Sequence, residues 1–203
     1  MALSVTIKLV PRRAASGPVD ALIRAGRLDA AQAHCRAALQ ERPDDPVLLR
    51  DAADVSVLRR RYAEALDFYA RAAARAPADQ DIHELLAAVH LRLGQAEEGR
   101  RVLRNFFRDH PLQDWDRGQG PRPAILRLAG MDGTLCRLEE KPKRRPGAHY
   151  RGGHFLTTHL LPRGRYRVLN WTVALNNINR GDDIPAHDLI LNTIADADVE
   201  DRS

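Results

Sequence analysis

The chain has 203 residues, of which 44% are hydrophobic and 29% charged, with a formal net charge of +5. That balance excludes wholesale disorder and suits two modest cores. No apolar run reaches the roughly 18 residues of a membrane span, and Met1 to Val10 is too short and polar for a secretory signal; the protein is expected to be cytoplasmic, with no membrane partner.

The chain repeats itself. Pro43, Pro77 and Pro111 recur every 34 residues, each after an alanine-rich or aromatic segment with helical spacing. Ala31, Ala65 and Gly99 stand 12 before these prolines, and Ala38, Ala72 and Phe106 stand five before. Gly26, Arg60 and Gly94 stand 17 before. Small residues suit places where two antiparallel helices cross closely, and proline suits a helix stop. Tyr62 and Tyr69 occupy the aromatic positions of the middle repeat. Asp44 and Asp45 ahead of Pro46 signal a helix start, as Ser16 ahead of Pro18 does. The pattern predicts helices over 18–25, 28–41, 46–59, 62–75, 80–93 and 96–109.

This stretch resembles the tetratricopeptide (TPR) family over residues 17–112. The resemblance implies a helical solenoid of about three hairpins, whose first helices line a concave groove for a protein or peptide partner. Helical projection places Asp20, Arg24, Arg50, Asp54, Glu84 and Arg92 on that face. The TPRs that clamp a carboxylate terminus use Lys and Asn in these helices, and the first helices here contain neither. The competing reading is that these charges only solvate the surface.

From Leu112 the composition changes. Gln113 to Pro123 is punctuated by Gly, Pro and Asp and reads as a linker. Ala124 to Ala129 reads as a strand leaving into a loop at Gly130, Asp132 and Gly133, and Thr134 to Leu138 as a second, exposed strand. Lys141, Lys143, Arg144 and Arg145, punctuated by Pro142 and Pro146, read as a solvent-exposed basic turn. No aromatic residues accompany it, so a nucleic-acid partner is not expected. A short helix opening at Gly152, Gly153 and His154 is expected next, then strands over Tyr166–Ala174 and Asp188–Ile194. The expected fold class is therefore a helical solenoid followed, over 124–203, by a small parallel α/β (Rossmann-like) domain.

The segments AILRLAGMDG, GGHFLTTHLL, RYRVLNWTV and DLILNTIAD are together similar to the small N-terminal domain of ATP-grasp ligases of the D-alanine ligase type. In that family, loops at the strand ends help hold a carboxylate substrate. The matching positions are Gly130, Asp132 and Gly133 after the first strand, Gly152, Gly153 and His154 at the helix start, and Asn192 and Asp196 at the end of the last strand. Nothing after Asp196 supplies phosphate-grasping lysines or acidic magnesium ligands. The segment is read either as the front of a longer enzyme or as a domain that kept the fold without catalysis. ATP and magnesium are expected only if an ATP-grasp domain follows.

No other motif carries chemistry. His149, His154 and His159 recur every five residues, but five residues turn an α-helix about 140° past a full turn, so they share no face. Cys35 and Cys136 lack CxxC spacing, which indicates neither zinc nor a disulfide framework. Nucleophile-elbow, P-loop and dinucleotide motifs are absent. The Gly152–Gly153 doublet reads either as a tight turn or as an anion-binding helix start. Trp171 is expected in the core, and Trp115 against the last repeat helix. Two functions lead, a protein-interaction adaptor with a non-catalytic α/β module, or the substrate-recruiting front part of an ATP-grasp-type carboxylate–amine ligase; a nucleic-acid binder using the basic turn is the third and weaker alternative.

Overall fold

A computed structural model describes residues 17–114, 122–130, 136–150, 165–173 and 184–193. Among the described residues six helices come first: α1 (Pro18–Arg24), α2 (Leu28–Glu41), α3 (Pro46–Leu58), α4 (Tyr62–Arg75), α5 (Gln80–Arg92) and α6 (Ala96–Asp109). The described strands follow: β1 (Leu112–Asp114), β2 (Ala124–Gly130), β3 (Cys136–Glu139), β4 (Gly147–Tyr150), β5 (Arg167–Val173) and β6 (Leu189–Asn192). The chain divides into two compact units. One joins the helices up to Leu103 with the segment Cys136–His149; the other holds β1, β2, β5 and β6.

The 34-residue period is a period of backbone geometry. The helices α1, α3 and α5 end alike: Arg27 N–H donates to the Leu22 carbonyl, Arg61 N–H to Ser56 and Gln95 N–H to His90, at 2.9, 2.8 and 2.9 Å. These six-to-one bonds close Schellman-type ends, which require a left-handed residue. Gly26 (φ 74°), Arg60 (φ 60°) and Gly94 (φ 78°) supply it. The second helices close alike too, Arg42, Ala76 and His110 donating to Ala38, Ala72 and Phe106 at 3.0, 2.9 and 2.8 Å. Asp45 caps α3 by accepting from Val47 and Leu48 N–H, and Asp79 caps α5 by accepting from Ile82 N–H. At α1 the cap is Gly17, without a side-chain bond, and Ser16 lies outside the described residues.

Arg60 is the exception that tests this backbone reading. A side chain in the left-handed region costs about 1 kcal/mol, partly offset because glycine has more unfolded-state freedom to lose. Arg60→Gly should therefore stabilise the chain by about 0.5 kcal/mol. Gly94→Ala, with nothing within 4 Å of the added carbon, should destabilise it by about 1 kcal/mol through backbone strain alone. Urea titration of both variants checks the opposite signs.

Successive helices from α1 to α5 pack on one another. Leu49, Ala53 and Val57 of α3, Ala65, Tyr69 and Ala72 of α4, and Ile82, Leu85 and Val89 of α5 share one buried cluster. A second cluster joins Val19 and Ile23 of α1 to Ala31 and Cys35 of α2 and Ala52 and Val55 of α3. The small residues mark close approaches. A Cβ built on Gly99 of α6 would stand 2.9 Å from the Ala87 carbonyl oxygen of α5, closer than an alanine tolerates without a shift.

The sheet unit has strand order β1-β5-β2-β6. β5 and β6 both run parallel to β2, whereas β1 runs antiparallel to β5. The expected all-parallel sheet is thus corrected to a mixed one, because the last helix turns straight into an edge strand. β1 also takes Gln113 and Asp114, the first two residues of the expected linker. The register places Leu126, Leu128, Leu169 and Trp171 on one face, and Gln113, Arg127, Asn170 and Thr172 on the other. On the second face Asn170 Nδ2 and Thr172 Oγ1 donate to Gln113 Oε1 at 2.8 and 3.1 Å. Trp171 is buried, as expected; Trp115 lies outside the described residues.

Of the strand expected over Thr134–Leu138, the part from Cys136 on lies in β3, Thr134 and Leu135 lying outside the described residues. Its partner is β4, paired in a separate two-stranded sheet, and the expected exposure is corrected, since Cys136 is buried. This hairpin groups with the helices, although it falls inside the segment expected to form the α/β domain. Leu138 and Ala148 explain the placement: both pack against the buried cluster shared by α3, α4 and α5.

Candidate functional site

Asp51 and Asp54 are three residues apart on α3 and therefore share a helix face. Asp20 lies on α1, the preceding first helix. All three are buried, Asp54 being only 1% exposed. One guanidinium serves all three: Arg145 Nη1 lies 2.6 Å from Asp51 Oδ1 and 2.8 Å from Asp54 Oδ2, and Nε lies 3.4 Å from Asp20 Oδ1. Tyr69 on α4 donates its hydroxyl to Asp54 Oδ1 at 2.6 Å.

Burial dominates at Asp54 and pushes its carboxyl above the ordinary range, while Arg50 and Arg145 pull it back. At Arg145 burial opposes the charge, but Asp54 and Asp51 outweigh it and hold the guanidinium above its usual value. The three carboxylates are thus neutralised by a guanidinium of the chain itself.

The β3–β4 hairpin delivers that cation. Pro142 and Lys143 turn the chain, with Lys143 at φ 57° and Arg144 N–H donating to the Lys141 carbonyl at 3.3 Å, the pattern of a proline-led type II turn. Lys141, Lys143 and Arg144 are exposed, as expected of a basic turn. Arg145 is the correction: its side chain is 18% exposed and faces three carboxylates. Lys141 pairs with Glu139, which further reduces the free positive charge of the run.

A second anchor stands at Glu140. Tyr62 donates its hydroxyl to both carboxylate oxygens, at 3.0 and 3.2 Å. Arg92 Nε lies 3.7 Å from Glu140 Oε1, with its guanidinium 5.5 Å above the Tyr62 ring. A third is the Cys136 thiol, 3.8 Å from the Glu84 carbonyl oxygen, where β3 runs against α5. Burial raises the Cys136 thiol well above its usual value. Burial, reinforced by Asp51, pushes Cys35 up to about 12. Both cysteines are free, and neither is a thiolate near neutral pH.

Of the six positions expected to line the groove, Asp20, Asp54, Glu84 and Arg92 each meet the hairpin. Arg24 instead pairs with Asp20 at 2.8 Å, and Arg50 with Asp81 at 3.2 Å. The reading from residue types missed Asp51, Arg145 and Glu140. The signal for Asp51 was its spacing of three from Asp54; nothing in the local pattern links either aspartate to Arg145.

In the sheet unit, Gly130 ends β2 and Asn192 ends β6, and the register pairs Leu128 with Asn192 and Gly130 with Val173. Gly130 and Asn192 thus lie at the same, carboxyl end of the parallel strands. Asp132, Gly133, Gly152, Gly153, His154 and Asp196, with His159, lie outside the described residues. His149 stands 3.9 Å from Glu139. Among the described residues, no cluster of His, Cys, Asp or Glu is placed to hold a metal, and no helix is long and apolar enough to cross a membrane. No protein-family model matches the chain, and no curated protein matches it either.

Proposed function

We propose that this chain is a TPR-type interaction scaffold whose groove receives a protein or peptide partner. The observation that carries the reading is the acidic cluster of Asp20, Asp51 and Asp54 on the first helices, already holding a guanidinium from the β3–β4 connection. Support comes from the 34-residue recurrence of the Schellman ends and close crossings, the packing geometry TPR hairpins use. Chains with this architecture commonly bind in the groove between first helices, as other helix-and-groove receptors do. The partner in this reading is a protein; nucleic acid and membrane are not partners, and the chain itself needs no cofactor. A cytoplasmic location fits two buried, reduced thiols.

The test reverses charge on the same face. Arg50→Glu together with Arg92→Glu should cut partner recovery from a lysate of the source cells about fivefold, equivalent to about 1 kcal/mol, with circular dichroism as the control that the double variant is folded. Undiminished recovery by the folded double variant contradicts the groove assignment.

A second reading is favoured by Gly130 and Asn192 at the carboxyl ends of adjacent parallel strands, the edge where open α/β sheets take ligands. In it, the sheet unit is the substrate-side domain of an ATP-grasp-type ligase, and ATP with magnesium belongs to a domain that follows. A small carboxylate such as D-alanine should then shift the amide resonances of Gly130 and Asn192. Unmoved resonances at millimolar D-alanine contradict it.

A further inference from the structure

Resting on the scaffold reading, we infer that the β3–β4 hairpin is a resident competitor in the groove, and that the groove's external ligand is an extended, arginine-bearing peptide segment that takes its place. Three observations lead there.

The pocket is specific for a guanidinium. Asp51, Asp54 and Asp20 approach Arg145 through two different nitrogens, Nη1 and Nε. A planar fork satisfies that arrangement and a compact ammonium does not. The aspartates sit on rigid helices, and Asp54 is further fixed by Tyr69.

The occupant is a segment that holds itself weakly. β3 and β4 pair only with each other among the described strands, and an isolated two-stranded hairpin is marginal in water. Its order therefore depends on the helical face, through Arg145, Glu140, Cys136, Leu138 and Ala148. Three of those five contacts are polar, and an incoming segment with an arginine, an acid and one or two small apolar residues reproduces them.

The hairpin is also accessible. Its turn residues Lys141, Pro142, Lys143 and Arg144 are exposed, so an incoming strand meets the end of the hairpin nearest Arg145 first. The basic turn stands over an acidic pocket, and exchange of one arginine for another leaves the charge there unchanged.

A fluorescein-labelled synthetic peptide of residues 136–150, carrying Cys136→Ser, is the probe, with the same peptide bearing Arg145→Ala as its control. Fluorescence anisotropy is read against the full wild-type chain and the full Arg145→Ala chain. The expected result is that the Arg145→Ala chain binds the probe about tenfold more tightly than the wild-type chain does, and binds it about tenfold more tightly than the control peptide. Should Arg145→Ala fail to fold, the Arg145→Lys chain, which keeps the charge and loses the fork, replaces it and should show an intermediate gain. Equal, weak binding of both peptides by a folded variant overturns the inference and makes the hairpin a permanent part of the unit. Probe-dependent dimerisation of the chain, read by light scattering, would also overturn it, since the occupant would then be a second copy. The two readings fail separately: partner capture that the probe cannot compete with sinks this inference alone, whereas tight probe binding with capture indifferent to Arg50→Glu and Arg92→Glu sinks the scaffold reading alone.

Discussion

Arg145→Ala is expected to destabilise the helical unit by about 3 kcal/mol, the low end of the cost of breaking a buried ion pair by removing one partner. Three buried carboxylates lose the guanidinium they share, and Asp54 is left with only Tyr69 and the more distant Arg50. The figure stays at the low end because Arg145 is not fully buried and because Asp20 keeps Arg24. For a unit of roughly 100 residues the change lowers the melting temperature by about 15 °C. Arg145→Lys should fall between, since it preserves the charge and loses the fork. A melting curve for Arg145→Ala that overlays the wild type would show that the ion-pair cluster contributes nothing net.

Leu49→Ala is expected to cost about 2–5 kcal/mol, the range for deleting a fully buried leucine side chain. Leu49 is 0% exposed and belongs to the cluster that α3, α4 and α5 share. Its loss should therefore be felt beyond its own helix. Amide hydrogen exchange should accelerate in α5 as well as in α3, because a stack of helix pairs is held by its interfaces. Acceleration confined to α3 would mean that the hairpins do not share one interior.

The helices were legible because each of their determinants is local. Prolines, capping aspartates and left-handed glycines act within a few residues, and the helix bounds fall within one residue of the sequence-based ones. Even the departure at Arg60 was visible as a break in the glycine phase. The strands β2, β5 and β6 were legible from their apolar runs, though their pairing order was not. β1 was hidden because three residues are too short to display alternation.

The placement of Arg145 was hidden for a different reason. Arg145 lies 94 residues from Asp51 along the chain, and one arginine in a proline-flanked basic run looks the same whether it meets water or carboxylates. Residue types did place Asp20, Asp54, Glu84 and Arg92 on one face, since helical projection is a local calculation. What fills that face is a tertiary fact. The same distinction explains the hairpin, whose Leu138 and Ala148 belong by sequence to the second half and by packing to the first.

The docking of the hairpin on the helices is tested most directly by the reactivity of Cys136, which that contact buries against α5. In a chain carrying Cys35→Ser, a maleimide probe should label Cys136 slowly, and adding Arg145→Ala should accelerate labelling about tenfold. Cys35, in a chain carrying Cys136→Ser, should stay slow in both backgrounds, which separates release of the hairpin from unfolding of the helices. Labelling of Cys136 that is already fast in the otherwise unaltered chain, or that is indifferent to Arg145, would contradict the account.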